Sequence, residues 1–251
     1  MVITVKNADY SGCSIGILVP SELRTKLIAA YSEITEDEIQ ATANFLDAIG
    51  YFGRNAIYTK LKGLMLPCVS NNLSEAIYDF KREQAPEIET ANLSFDTDSK
   101  QLNSSATANY NIGSFDCIKL NTFAYSKTTK AANGMDDLGS SFVGVSHVGC
   151  YFGDDQQLSF KSISASKAIV LVSASGDATT LVSTDVKIIT DSATSTFGTA
   201  KTYNSTNRSS VGVAKSEENN AQNAILGWAE GLTLEEGIIL KNAMADFIEA
   251  L

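Results

Sequence analysis

The chain has 251 residues, 44% of them apolar and 19% charged, which suits a globular protein with one large core or one core and a small appendage. Its 19 Lys and Arg stand against 29 Asp and Glu, a net charge of −10. No segment gathers the basic cluster that a phosphate backbone or an anionic membrane surface needs, so neither partner is expected.

Three prolines, Pro20, Pro67 and Pro86, argue against a linker-rich or disordered chain. Met1 to Lys6 reads as a strand, without the basic segment and apolar run of a signal peptide. No apolar run approaches the ~18 residues that span a bilayer. The expectation is synthesis in a cytoplasm with no membrane insertion. Cys13, Cys68, Cys117 and Cys150 are widely spaced and read as buried free thiols.

After the first strand the chain reads as helical. Ser21 to Tyr31 follows Pro20, and a second helix starts near Thr35, where Thr35 and Glu38 have capping-box spacing. Ile39, Thr42, Ala43, Leu46 and Ile49 form one apolar stripe, and Gly50 and Gly53 end it. From about Arg54 to Trp228 the texture is that of strands separated by polar turns. The expected strands are Ile57 to Leu66, Ala76 to Phe80, Leu93 to Phe95, Cys117 to Tyr125, Phe142 to Phe152 and Leu158 to Ile163. Ala168 to Val172, Leu181 to Ile189, Gly198 to Tyr203, Ser210 to Ala214 and Ile225 to Trp228 follow. Turns are expected at Asp96 to Ser99, Asn133-Gly134, Gly153 to Asp155 and Gly176-Asp177. The continuous run Ala168 to Val172 predicts a strand buried on both sides or at a sheet–helix contact. Many strands without intervening helices predict a mainly β fold, a two-sheet antiparallel sandwich. A second capping box, Thr233 with Glu236, opens a C-terminal amphipathic helix carrying Leu234, Ile238, Met244, Phe247, Ile248 and Leu251.

Catalytic signatures are few. The single histidine, His147, lies in an apolar strand segment beside Ser146, which would face the other way. No nucleophile elbow or phosphate-cradling glycine loop appears, and His147 with Cys150 falls short of a zinc site. Glu36, Asp37 and Glu38 sit where acids favour a helix start. Asp96 with Asp98, and Asp154 with Asp155, are turn residues, with calcium ligation as the alternative. For stacking on a sugar the candidate rings are Tyr151 and Tyr203, with Tyr110 and Tyr125 also available, whereas Trp228 is expected in the core. No catalytic residue, metal or cofactor is implied.

Two stretches carry a resemblance. Ile57 to Pro67, continuing through Asn71 to Tyr78, and Ile225 to Glu236, leading into Ala243 to Leu251, together resemble bacteriophage virion proteins with a concanavalin-A-like, LamG-type jelly roll. The segment Met1 to Gly16 is similar to lead-ins in phages of Bacteroidetes, including crAss-like ones. The resemblance implies a non-enzymatic head or tail fibre or decoration subunit located in the virion. It divides the chain into an anchor or oligomerisation segment, residues 1–53, and a body, residues 54–251. The implied partners are other virion proteins, further copies of the chain as a homotrimer, and a host-surface glycan. The helical stripe Ile39, Leu46 and Ile49 is the candidate oligomer seam. A carbohydrate-binding lectin-like domain is the alternative, and a jelly-roll enzyme acting on polysaccharide a third.

Overall fold

The computed structural model describes residues 17–88, 90–105, 108–116, 119–134, 141–143, 148–152, 156–161, 165–173, 180–181, 186–196, 201–202, 207–214 and 222–251. The helices are α1 (Ser21–Ala30), α2 (Glu36–Ala48), the single turns α3 (Ile57–Lys60) and α4 (Leu73–Ala76), and α5 (Leu234–Ala250). The first strands are β1 (Leu61–Met65), β2 (Leu93–Asp96), β3 (Gln101–Ser104), β4 (Asn109–Asp116), β5 (Leu120–Tyr125), β6 (Asn133–Gly134), β7 (Ser141–Val143), β8 (Val148–Phe152) and β9 (Gln156–Lys161). Then come β10 (Ala168–Ser173), β11 (Thr180–Leu181), β12 (Val186–Thr190), β13 (Thr194–Thr196), β14 (Lys201–Thr202), β15 (Asn207–Gly212), β16 (Gln222–Asn223) and β17 (Ile225–Glu230).

Antiparallel sheet dominates. A six-stranded sheet runs β1-β17-β5-β10-β12-β13, and the smaller ones are β16-β3-β2, β15-β4, β6-β7-β8-β9 and β11-β14. The large sheet is buried on both faces. Along β10, Ile169 and Leu171 join one core with Tyr110, Ile112 and Phe115 of β4 and Trp228 of β17. Val170 and Val172 point the other way, into a core built with α1, α2 and α5. Alternation is therefore absent from the run Ala168 to Val172 because both sides of the pleat are apolar, as expected for a doubly covered strand. The architecture is mainly antiparallel sheet with few helices, one of them C-terminal, and helices cover one face of the principal sheet.

Both capping boxes form. Thr35 Oγ1 accepts from the Glu38 amide and the Glu38 carboxylate from the Thr35 amide; Thr233 and Glu236 repeat this at α5. Gly50 and Gly53 take φ of 93° and 87°, the left-handed region expected at a helix end. Gly237 lets α5 lie against the sheet: an added Cβ would stand 2.6 Å from Val172 Cγ2 and 2.7 Å from Ile189 Cδ1.

Some expectations are corrected. Ile57 to Lys60 is a helical turn, because Asn55 Oδ1 accepts from the Ile57 amide at 3.0 Å and Thr59 Oγ1 donates to Ala56 O at 2.7 Å. Such local side-chain bonds compete with sheet pairing, so β1 begins only at Leu61. Asn72 caps α4 in the same way, leaving only Asp79 in β-bridges, to Met65 and Gln84. The stretch expected to lack helices thus holds two. Asn133-Gly134 is no reversal but a buried strand pair, whose Asn133 Nδ2 donates to Phe123 O and Gly227 O. The expected turns at Gly153 to Asp155 and Gly176-Asp177 fall outside the described residues.

The stripe Ile39, Leu46 and Ile49 is at most 1% exposed and packs within the chain, so it presents no face to a second copy. Residues 17–53 have no separate core either. Their Leu23, Leu27, Phe45 and Leu46 share one cluster with Ile57, Phe123, Val170 and Phe247, and the Phe45 and Phe247 rings stack at 4.9 Å. The expected division at residue 53 is thus no break in packing. Among the described residues no helix is long and apolar enough to cross a membrane.

Candidate functional site

Asp79 is the most deeply buried carboxylate among the described residues. It is wholly buried, and its Oδ1 accepts from the backbone amides of Leu64 at 3.0 Å and Arg82 at 3.2 Å. Its Oδ2 accepts from Tyr110 Oη at 2.9 Å. The Leu64 amide lies on the outer side of β1, which Asp79 and Phe80 cover: the Phe80 amide donates to Leu64 O at 2.8 Å. The carboxylate therefore takes the place of a neighbouring strand's carbonyl at Leu64 on this edge strand. Burial holds its pKa above the usual carboxyl value, partly offset by the bonds from Leu64, Tyr110 and Arg82.

Above this floor lies a hollow of about 450 Å3, lined by Arg82, Gln84, Ala85, Glu87, Tyr110 and Asn111. Asp79 donates its amide to Gln84 O at 3.0 Å, a bridge that holds the turn carrying Arg82 beside β4. Arg82 Nη1 reaches Tyr110 Oη at 3.4 Å and also donates to Asn111 O, while Gln84 Nε2 reaches the same phenol oxygen at 3.3 Å. The Arg82 guanidinium sits over the Tyr110 ring, 5.6 Å from its centroid, and Tyr110 packs edge-on against Trp228 at 6.4 Å. Burial first, then the Asp79 charge, push the Tyr110 phenol up to about 12, so it stays protonated and donates at neutral pH. Chemically the hollow offers donors, an acid and amides on a floor that is fixed in place. A second polar hollow of about 440 Å3 is lined by Thr128, Thr129, Lys130 and Gln222.

Of the rings read from sequence, Tyr110 lines the first hollow, itself 2% exposed, and the other candidates land elsewhere. Tyr151 lies in β8, paired with Gln157, its side chain outside the described residues; Tyr203 and His147 are outside them altogether. Trp228 is fully buried, and its Nε1 donates to Gly134 O at 2.8 Å. Cys68 is buried, which pushes its thiol up to about 12; Cys150 lies in β8, and Cys13 and Cys117 are not described. Asp96 Oδ1 accepts from the amides of Asp98 and Ser99, the turn use of that carboxylate. Asp154 and Asp155 are outside the described residues, and among those described no group of three or more His, Cys, Asp or Glu is placed to hold a metal. Glu36 pairs with Arg24; Glu38 holds Lys100 at 2.7 Å as well as its cap.

Tyr110 is named from sequence only as an available ring, and its partners Asp79, Arg82 and Gln84 escaped sequence reasoning. The available signal was Asp79 itself, a lone carboxylate in the aromatic stretch Ile77-Tyr-Asp-Phe80. No family model, curated protein or solved structure matches the chain.

Proposed function

We propose that the chain is a non-enzymatic structural subunit of a bacteriophage particle, a head or tail fibre or decoration protein, with a jelly-roll-related β body. The observation that carries this reading is the β1 edge taken up at Leu64 by Asp79. A subunit displayed in many copies sits at high local concentration, where an open β edge would recruit neighbouring strands. Here Asp79 and Phe80 take up the outward amide and carbonyl of Leu64 on β1, one of the two edge strands, and both sheet faces are filled by the chain itself. The resemblance of Ile57 to Tyr78 and Ile225 to Leu251 to phage virion proteins points the same way. Assembly as a homotrimer with other virion proteins belongs to the proposal, with a seam other than Ile39, Leu46 and Ile49.

The test is quantitative mass spectrometry of purified particles of the phage encoding the chain. A fixed copy number per particle supports the proposal, and its absence from particles that carry all other virion proteins overturns it. The polar hollow beside Tyr110 favours a second reading, a lectin-like carbohydrate-binding role in adhesion to a host surface.

A further inference from the structure

We propose that the hollow formed by Arg82, Gln84, Ala85, Glu87, Tyr110 and Asn111 binds a neutral sugar unit of a polysaccharide. This rests on the carbohydrate-binding reading and assigns it a site and a ligand class.

Size is the first support. About 450 Å3 falls inside the ~300–1,000 Å3 of small-molecule sites. Preorganisation is the second. Tyr110 is 2% exposed and its hydroxyl is held by a buried carboxylate, so the floor does not reorganise when a ligand arrives. Arg82 is placed by its bond to Asn111 O, whereas the contacts of Arg82 and Gln84 to the phenol oxygen, at 3.4 and 3.3 Å, are long for hydrogen bonds. Ligand oxygens can replace them without dismantling the core.

The ligand class follows from the mixture of rim groups. Arg82 brings only donors, Glu87 only acceptors, and Gln84 and Asn111 bring both. A hydroxyl donates and accepts through a single oxygen, and vicinal hydroxyls match the planar forks of a guanidinium, a carboxylate and an amide. An anionic ligand would pair with Arg82 but face Glu87 and a chain of net charge −10. A cation would face Arg82. The apolar component is the Ala85 methyl and the Arg82 stem, since the Tyr110 ring is covered.

The experiment is a titration of the isotope-labelled full chain with neutral methyl glycosides of glucose, galactose, mannose, rhamnose and N-acetylglucosamine, with glucuronate alongside. Backbone amide shifts map the site. Saturable shifts at Arg82, Gln84, Ala85, Glu87 and Asn111 with at least one neutral glycoside are expected. Arg82→Lys, which keeps the charge but loses the planar fork, weakens binding by about tenfold, and Glu87→Gln by severalfold. Unshifted amides elsewhere show that both variants fold. Saturable shifts confined to other residues would overturn the site assignment while leaving the carbohydrate-binding reading standing. Binding of glucuronate alone would overturn the neutral class. Silence with every probe would overturn the proposal and the carbohydrate-binding reading together.

Discussion

Replacing Asp79 separates its role as a hydrogen-bond hub from its role as a charge. Asp79→Ala leaves the Leu64 amide and the Tyr110 hydroxyl without their acceptor in a closed site, while the Arg82 amide keeps the main-chain carbonyl of residue 79 at 3.2 Å. Each unsatisfied buried group costs about 1–3 kcal/mol, and relief of the buried carboxylate offsets part of the sum, so a net loss of about 2–4 kcal/mol is expected. At about 2–4 °C per kcal/mol for a chain of this size, the midpoint of thermal unfolding falls by about 4–16 °C. Asp79→Asn keeps Oδ1 for Leu64 and Arg82, and its amide can donate to the phenol oxygen instead of accepting from it. Its loss should be about 1 kcal/mol. Thermal and urea denaturation followed by circular dichroism measures both. Equal, small losses in the two variants would refute the hub, because they would mean that the Leu64 amide and the Tyr110 hydroxyl find other acceptors.

Three further outcomes follow from the same structure. The Asp79 pKa is raised above 3.8 in the folded state, so the folded protein holds this proton more tightly than the unfolded chain. The stability it contributes is complete below the unfolded value and is lost as pH rises through the folded one. The stability of the wild type relative to Asp79→Asn should therefore be greatest in acid and decline toward neutral pH, as read from urea midpoints across that range. Gly237→Ala gains about 1 kcal/mol of helix propensity but forces a methyl group onto Val172 and Ile189, at an overpacking cost of about 1–3 kcal/mol. A net loss is expected by thermal denaturation, and a more stable variant would contradict the close approach of α5. Leu46→Ala should cost about 2–5 kcal/mol as a core cavity while leaving the mass by light scattering unchanged; a changed mass at unchanged stability would return Leu46 to an oligomer seam.

Elements specified by near neighbours were legible in the sequence. The boxes Thr35/Glu38 and Thr233/Glu236 close over three residues, so spacing alone reveals them. Apolar runs such as Ala168 to Val172 announce a doubly buried strand for the same local reason. β4 was missed although Tyr110, Ile112 and Phe115 face the core, because the Asn, Gly and Ser between them read as loop. The first turn of the Ile57 segment was misread because Asn55 and Thr59 satisfy its backbone locally.

The candidate site was hidden for a different reason. Asp79 meets Leu64 across 15 residues and Tyr110 across 31, while Trp228 meets Gly134 across 94. No periodicity encodes such meetings, since each partner has an ordinary local role as strand, turn or aromatic core residue. Asp79 becomes unusual only when the edge of β1 is laid beside it and water is removed, because desolvation and the direction of three donors are properties of packing. The same packing buries the stripe Ile39, Leu46 and Ile49, whose period announces a buried face but not which surface covers it. Composition and spacing settle the capped starts of α2 and α5 and the doubly buried run Ala168 to Val172. The partner of each apolar face, and the polar hollow above Tyr110, arise only when distant segments share one core.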